Sequence, residues 1–352
     1  MPIRLAQAPP GLLVPAGGQV PAAGLVAELV GQPFLLEVAS PEPADWAPLA
    51  GLGPEAARAV EGFLAGLPGV SLGVGPVPEA AARWFDLLAA GPEQAAALAG
   101  GAGRAPLAVV SAAWLLRRPA PDPWAGLVAE SATYSMLQAG PEFRAWLASR
   151  EPRLPDPPGP RVRTHREGGV VEIVLCRPER HNALDTDMRH QLACALDDAA
   201  SASAVILRGE GPSFCSGGDL DEFGTAPDPP AAHVVRLAAS LAWRLCRLGR
   251  RTVAGVHGAC LGAGLELAGF CHRVVAAEGA RLGLPEAGLG LVPGAGGTVS
   301  LPARAGRQRV LELLVGAEPV DAATASAWGL VDEVVPADQL VGRVRQLAGW
   351  PP

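Results

Sequence analysis

The first 150 residues alternate between short apolar runs and segments in which apolar positions recur every three or four residues. Short apolar runs bounded by Gly or Pro are typical of buried strands, whereas the spacing i, i+3, i+4 is typical of amphipathic helices. The first pattern predicts strands at 33–39, 69–75 and 106–116. The second pattern predicts helices at 54–67, 78–90 and 123–140. This alternation predicts an α/β layer structure.

The same order of elements recurs in the second part of the chain. Apolar runs predict strands at 170–175, 204–209 and 252–260, and longer periodic segments predict helices at 185–200 and 229–248. The first of these helices follows Asp185, whose carboxylate can accept a hydrogen bond from a free N–H group of the first turn. We therefore expect a second α/β unit.

A proline-rich stretch separates the two parts. The sequence "EPRLPDPPGPR" at 151–161 contains five prolines, and such stretches form stiff, extended linkers. All six histidines and all six cysteines follow it. We therefore predict an α/β accessory domain at 1–150, a linker at 151–161 and a catalytic domain at 162–352.

The composition excludes several classes of function. Apolar residues make up 49% of the 352 residues and charged residues 18%, which allows a large core. The formal charge of −7 argues against a protein that coats nucleic acid or binds an anionic membrane. Every one of the 28 basic residues is arginine, which excludes a Schiff-base lysine, a pyridoxal phosphate anchor and a Walker-type phosphate lysine.

The cysteines and the N-terminus predict a cytoplasmic protein. The six cysteines show no C-x-x-C spacing and most have apolar neighbours, as expected of reduced thiols in a core. The N-terminal sequence "MPIRLAQAPPGLLVPAGG" lacks the continuous apolar region of a signal peptide. The longest apolar run, at 105–116, is shorter than the ~20 residues that cross a bilayer.

Candidate chemistry is concentrated in "GAGLELAGFCHRVVAAEGARLGLPEAGLGLVPGAGGT" at 262–298. Two carboxylates, Glu266 and Glu286, stand in apolar surroundings, where a carboxylate is costly unless it is paired or hydrogen-bonded. Glycines at 262 and 264 allow the backbone to approach a ligand. Upstream, "FCSGGDLDEF" at 214–223 supplies a second glycine turn. Two turns that each give one N–H to a carbonyl oxygen, with two carboxylates as acid and base, are the parts of an oxyanion site.

Four stretches of the chain resemble the enoyl-CoA hydratase/isomerase (crotonase) family over residues of about 165–336. They are "RPERHNALDTDM", "FCSGGDL", "VHGACLGAGLELAGFCHRVVAAEGARLGLPEAGLGLVPGAGGT" and "ASAWGLVDEVV". The resemblance implies a crotonase-like spiral of ββα units in the C-terminal domain, preceded by a smaller α/β domain.

The resemblance also implies roles for particular residues. The backbone N–H groups of Gly218 and Ala263 match the oxyanion hole that holds a thioester oxygen in the family. Glu266 matches the residue that orients and deprotonates water, and Glu286 matches the residue that exchanges a proton with the α-carbon. The site residues expected to contact the substrate are Arg177, Arg180, Ala183, Ser216, Gly217, Asp219, Leu220, Gly262, Pro285 and Gly294.

The resemblance implies an acyl-CoA substrate, a homo-oligomer (a trimer or a hexamer), and no cofactor or metal. His257 and His272 lack metal-ligand spacing with any Cys or carboxylate and are interpreted as structural. The expected activity is hydration of a 2-enoyl-CoA or the reverse dehydration. The alternatives are isomerisation, hydrolysis or retro-aldol cleavage of an acyl-CoA, or a catalytically weak scaffold subunit, because a fold alone does not determine a reaction.

The accessory domain carries a weaker internal similarity. "PLAVVSAAWLL" resembles "TVAGVHGACLG", and "GLVAESATYSML" resembles "GLELAGFCHRVV", which places Glu130 opposite Glu266. One interpretation is a degenerate crotonase-like copy that kept its strands and helices but lost the site. The other is the ordinary repetitiveness of an Ala-rich α/β chain. Only one helix is expected after "GLVDEVV", so we expect the catalytic domain to have a shortened C-terminus.

Overall fold

A computed structural model describes residues 3–4, 35–151, 159–316 and 318–351, and for residues 3–4 only the backbone. The chain divides into two units. The first consists of Met1–Arg118 and Arg307–Ala317, and the second of Pro119–Gly306 and Glu318–Pro352. The division therefore falls at Pro119 instead of at residues 151–161. Residues 152–158 of the expected linker lie outside the described residues.

The first unit contains a parallel sheet. Its strands lie in sequence order: β1 (Ile3–Arg4), β2 (Leu35–Ala39), β3 (Val70–Val74) and β4 (Leu87–Ala89). Its helices are α1 (Ala47–Ala50), α2 (Pro54–Gly66), α3 (Glu79–Ala82), α4 (Pro92–Arg104) and α5 (Pro106–Arg117). A core of Val38, Trp46, Val60, Trp84 and Phe85 packs on one side.

Residues 106–116 form helix α5, so the strand expected there is wrong. The run is apolar throughout, and its sequence therefore carries no periodicity that separates a buried strand from a buried helix. Pro106 suits a first helical turn and alanine has the highest helix propensity. The proposed correspondence of this run with a strand of the second unit also fails, which removes one element from the degenerate-copy interpretation.

The helix expected at 78–90 is limited to α3, and β4 follows it. The cause is a buried polar cluster around Asp86. Asp86 Oδ2 accepts hydrogen bonds from Ser71 N and Ser71 Oγ, both at 2.8 Å, and forms an ion pair with Arg117 at 2.6 Å. These interactions with distant residues hold the chain in an extended pairing beside β3, which overrides the local helical pattern.

The second unit contains two sheets. The strands are β5 (Val162–Glu167), β6 (Val170–Leu175), β7 (Ala204–Gly209), β8 (Thr252–Val256), β9 (Ala259–Leu261), β10 (Arg273–Ala277), β11 (Arg281–Gly283), β12 (Val320–Asp321) and β13 (Glu333–Val335). One sheet has the order β13-β10-β8-β7-β6-β5 and the other β12-β11-β9. Pairing is parallel except for β5 with β6 and β11 with β12.

Helices surround these sheets. They are α6 (Pro123–Gln138), α7 (Pro141–Ala148), α8 (Thr186–Asp198), α9 (Pro229–Ala238), α10 (Leu241–Leu248), α11 (Ala263–Phe270), α12 (Gly297–Val315), α13 (Ala322–Ala327) and α14 (Leu340–Ala348). Asp185 caps α8 as expected, accepting a hydrogen bond from Met188 N at 2.7 Å. Helix α12 has a non-helical residue at Gly306, where the division into units falls.

Two elements of the second unit are shorter than the sequence predicted. The helix expected at 229–248 is two helices, because the backbone of Ser240 is non-helical and its side chain caps α10 by accepting a hydrogen bond from Trp243 N at 3.1 Å. The strand expected at 252–260 is two strands in different sheets. Between them Gly258 has φ +52°, and a Cβ there would lie 1.9 Å from the Pro212 carbonyl oxygen. Only glycine permits that break.

Within the described residues no single helix is long and apolar enough to cross a membrane; α4 and α5, bent by 106°, reach that length and composition only as a pair. The six cysteines are free thiols.

Candidate active site

Two glycine turns of the second unit lie side by side. The backbone at Cys215 pairs with β9, and Leu261 N donates to the Cys215 carbonyl oxygen at 3.0 Å. A Cβ at Gly264 would lie 2.5 Å from that same oxygen, so a side chain could not be accommodated there. The close approach brings the turn at 215–218 against the start of α11.

Each turn presents one backbone N–H that is not used within the fold. Leu184 N donates to Gly217 O at 2.8 Å, and Asp219 N donates to Leu184 O at 3.1 Å. Because successive N–H groups in an extended segment alternate in direction, the N–H of Gly218 points away from Leu184. Ala263 is the first residue of α11, where N–H groups have no partner inside the helix. Neither N–H donates a hydrogen bond to any described residue.

Glu266 is buried on α11 and is held by the glycine loop (residues 294–298). Its Oε2 accepts hydrogen bonds from Ala295 N and Gly297 N, both at 2.7 Å. Burial raises the pKa of the Glu266 carboxyl to about 7, although the N–H groups of Ala295, Gly297 and Gly294 act in the opposite direction. A carboxyl in this range can accept a proton near neutral pH.

Glu286 is buried beside Gly262 and has a different environment. A Cβ at Gly262 would lie 2.5 Å from Glu286 Oε1, which places the carboxyl next to the residue that precedes α11. Its Oε2 is buried and has no hydrogen-bond partner among the described residues. Burial, followed by the charge of Glu266, raises the pKa of Glu286 well above its ordinary value. The raised pKa favours the protonated form of Glu286.

A third buried carboxylate, Glu130 of α6, joins the same site. Its oxygens accept hydrogen bonds from Gly296 N at 2.7 Å and from Thr298 N at 2.8 Å. Nearby, Arg236 of α9 donates to Ser131 Oγ at 2.9 Å, and its guanidinium lies 4.3 Å from the centre of the Tyr134 ring.

The three carboxylates line one cavity of about 510 Å³ within the second unit. That volume lies within the usual range for a small-molecule site, ~300–1,000 Å³. The wall also includes Gly218 and Ala263. The apolar part of the wall includes Leu127, Tyr134, Leu184, Leu220, Phe223, Leu241 and Leu289. The arrangement can bind a carbonyl oxygen through two N–H groups while carboxyl groups exchange protons with the bound molecule.

Comparison with known proteins identifies the family. The family model described as enoyl-CoA hydratase/isomerase matches residues 165–349, which is more than half of the chain. The chain belongs to the enoyl-CoA hydratase/isomerase family. It is thus an enzyme of that family, and acyl-CoA thioesters are its class of substrate.

Relatives of this family member include two enzymes of Escherichia coli strain K12. A 2,3-dehydroadipyl-CoA hydratase is 38% identical over 186 residues, 52% of this chain and 72% of that protein. A 1,2-epoxyphenylacetyl-CoA isomerase is 34% identical over 194 residues, 53% of this chain and 74% of that protein. The crystal structure of an enoyl-CoA hydratase from Thermoplasma volcanium is 32% identical with a TM-score of 0.50, covering 55% of this chain and 78% of that one. This likeness confirms the crotonase-like α/β fold over about half of the chain.

Most of the residues that the sequence assigned to the site of this hydratase/isomerase-family enzyme lie on the cavity wall. They are Ser216, Gly217, Gly218, Leu220, Gly262, Ala263, Glu266, Pro285, Glu286 and Gly294. Four others are not part of that wall: Arg177, Arg180, Ala183 and Asp219.

The side chains of Arg177 and Asp219 pair with each other inside the protein. The Arg177 side chain is 3% exposed and forms ion pairs with Asp219 at 2.6 Å and with Asp185 at 3.4 Å. It also donates to the Ala183 carbonyl oxygen at 2.9 Å. The buried guanidinium in this network holds the 183–185 turn beside Gly218, and a substrate contact of Arg177 stays a prediction. Arg180 is more exposed and lies 4.0 Å from Asp221.

The sequence analysis missed one wall of the cavity. Leu127, Glu130, Ser131, Tyr134 and Gln138 of α6 line it, although they precede the matched segment and were assigned to an accessory domain. The available signal was a glutamate in the otherwise apolar and small-residue stretch "GLVAESATYSML". No cluster of three or more His, Cys, Asp or Glu side chains in the described part of the chain could hold a metal ion. The expectation that the enzyme needs no cofactor stays a prediction.

Proposed function

We propose that this enzyme adds water to a 2-enoyl-CoA thioester, or removes it from the 3-hydroxyacyl-CoA. The observation that carries the proposal is the pair of buried glutamates with unequal surroundings beside two free backbone N–H groups. Two titratable groups whose environments separate their pKa values are the usual basis for assigning an acid and a base.

The proposed reaction starts with the thioester oxygen at the N–H groups of Gly218 and Ala263. Glu266 accepts a proton from water as the water oxygen forms a bond to C3. The electron pair of the C2–C3 double bond moves to C2 and onto the thioester oxygen, where the two N–H groups stabilise the negative charge. One such donor contributes ~2.7–4 kcal/mol to a transition state of this kind.

Glu286 completes the addition by giving its proton to C2. Because burial raises the pKa of Glu286 and so favours its protonated form, Glu286 is a suitable donor to carbon. The product then carries a hydroxyl on C3 and a new hydrogen on C2. Glu266 is left protonated and Glu286 ionised, and one proton returned through solvent restores the starting state.

The test compares Glu266→Gln and Glu286→Gln with the wild-type enzyme in an assay that follows loss of the enoyl-thioester absorbance. Each variant should lower kcat by ~10²–10⁴-fold, the usual contribution of a general acid or base. Glu278→Gln is the matched control, because Glu278 is exposed and outside the cavity wall. Full activity in either glutamine variant would contradict the two-glutamate mechanism.

A second candidate is isomerisation of an acyl-CoA, favoured by the similarity to the isomerase described above. The same carboxyls could move a proton between two carbons without adding water. Product analysis in ¹⁸O-labelled water separates the two reactions, since hydration incorporates ¹⁸O at C3 and isomerisation does not. If the purified chain acts on no acyl-CoA, a catalytically weak scaffold subunit becomes the better description.

A further inference from the structure

Helix α6 reaches the active site through closely fitted contacts. A Cβ at Gly294 would lie 2.6 Å from the Tyr134 ring, and a Cβ at Gly126 would lie 2.7 Å from Val299 of α12. The glycine loop and α12 therefore contact α6 at glycine positions, where a side chain would not fit. Since α6 precedes the segment matched to the family (165–349), its contribution to the site is not part of that match.

Four consecutive N–H groups of the glycine loop donate alternately to two carboxylates. Those of Ala295 and Gly297 donate to Glu266, and those of Gly296 and Thr298 donate to Glu130. The Thr298 hydroxyl adds a bond to Glu130 Oε2 at 2.7 Å.

This double attachment fixes the positions of the two carboxylates relative to each other. Gly297 and Thr298 begin α12, and the first N–H groups of a helix need acceptors outside it. If Glu130 were lost, the N–H groups of Gly296 and Thr298 would remain buried without these acceptors, which is unfavourable. The loop would then relax, and Glu266 would move with it.

The titratable groups around Glu130 and Glu266 include more acids than cations. The groups that face it are Glu286, Arg236 and Tyr134, with the buried thiol of Cys215 beside Glu266. The only cation among them, Arg236, makes hydrogen bonds to the neutral residues Ser131, Ser135 and Gln138. Burial, followed by the charge of Glu266, raises the pKa of Glu130 to about 8. Two carboxyls in this arrangement do not both ionise readily at neutral pH.

We propose that Glu130 is a positioning residue of the active site, which together with Glu266 holds the glycine loop and thereby places the Glu266 carboxyl. The proposal rests on the role of Glu266 proposed above. It gives α6, a helix outside the family match, a function in the active site, because residues of α6 line the cavity.

The test measures the pH dependence of kcat for Glu130→Gln and Glu130→Asp, with Glu278→Gln as the control. Glutamine keeps only one acceptor oxygen for the N–H groups of Gly296 and Thr298. Its kcat at the optimum should fall by ~10–10²-fold with a much smaller change in KM, because Glu266 is displaced. The acid limb should stay in place, because Glu130 loses its proton at a higher pH than Glu266 does. Aspartate shortens the reach to the same N–H groups, so its kcat should fall as well. Wild-type kcat in both variants, or a loss that appears in KM and not in kcat, overturns the proposal.

A second measurement does not depend on activity or on the folding of any Glu130 variant. In the wild-type protein the amide protons of Gly296 and Thr298 should exchange slowly with solvent, because they are donated to the buried carboxylate of Glu130. Rapid exchange at both amides overturns the proposal even if the enzyme is active. Conversely, slow exchange in a protein that hydrates no enoyl-CoA would refute the proposed function and leave the attachment of Glu130 to the glycine loop standing.

Discussion

Replacing Gly262 with alanine is expected to displace the carboxyl of Glu286, the proposed proton donor. Gly262 has φ +49° and ψ −125°, a backbone conformation that residues with a side chain rarely adopt. A Cβ at this position would lie 2.5 Å from Glu286 Oε1 and 3.6 Å from its carboxyl carbon. Gly262 is thus the residue whose missing side chain leaves room for the proposed proton donor.

The size of the effect follows from that distance. An ordinary contact begins at 3.4 Å, so the Glu286 oxygen has to move by about 0.9 Å to accommodate the methyl group. A displacement of ~1 Å in a catalytic site can cost ~10²-fold in rate, which corresponds to ~2.7 kcal/mol of transition-state stabilisation. The backbone strain costs a further ~1–3 kcal/mol of folding free energy. A domain of ordinary stability, ~5–15 kcal/mol, stays folded under that load.

The assay combines steady-state kinetics on a 2-enoyl-CoA with urea unfolding of the same preparations. Gly288→Ala is the matched control, since Gly288 is exposed two residues after Glu286 and a Cβ there would meet nothing within 4 Å. We expect Gly262→Ala to lose ~10²-fold in kcat/KM and to unfold at lower urea, with Gly288→Ala close to wild type. A folded Gly262→Ala enzyme with wild-type kcat/KM would refute the placement of Glu286 as the proton donor.

Two further predictions concern the oxyanion hole and the pH dependence of stability. Gly218→Pro removes an N–H donor and should cost ~10²–10³-fold in kcat, whereas Gly218→Ala keeps the donor but places a Cβ 2.8 Å from the Phe223 ring. Adding Phe223→Ala should therefore restore activity to the alanine variant only. Equal rescue of both variants would show that the hydrogen bond is unimportant. The raised pKa values of Glu266 and Glu130, about 7 and 8 against an ordinary 4.5, mean that their contribution to stability is complete below pH 4.5 and is lost as the pH rises through those values. Urea unfolding at a series of pH values should therefore show that the free energy of unfolding falls as the pH rises, and that it falls less steeply in Glu266→Gln than in the wild type. An identical pH dependence in the two proteins would contradict the burial argument.

Local patterns predicted the elements whose stability is mainly local or whose burial shows in the sequence. The cap at Asp185 predicted the start of α8, and the apolar run 170–175 predicted the fully buried strand β6. The glycine turns and the two glutamates in apolar surroundings predicted the parts of an oxyanion site, because few other residue patterns combine them. The structure places those residues around one cavity.

The elements that the sequence predicted wrongly share one physical cause. The helix at Pro106–Arg117, the interruption at Ser240 and the separation of β8 from β9 at Gly258 all depend on what lies against the chain. An apolar run can pack as a strand or a helix, and the choice is made by its neighbours in space. Likewise, the sequence assigned Arg177 to the substrate contacts, and only its ion pairs with Asp185 and Asp219 show that it is buried and paired within the protein.

The sequence by itself determined the family, the α/β class and the residue types of the proposed chemistry. The tertiary structure decided which carboxyls share the cavity and how each is held. Glu130 meets Gly296 across 166 positions of sequence, a separation over which no local pattern carries information. Its pairing with the glycine loop arises because buried N–H groups at the start of a helix need acceptors, and only the folded chain brings α6 to that position.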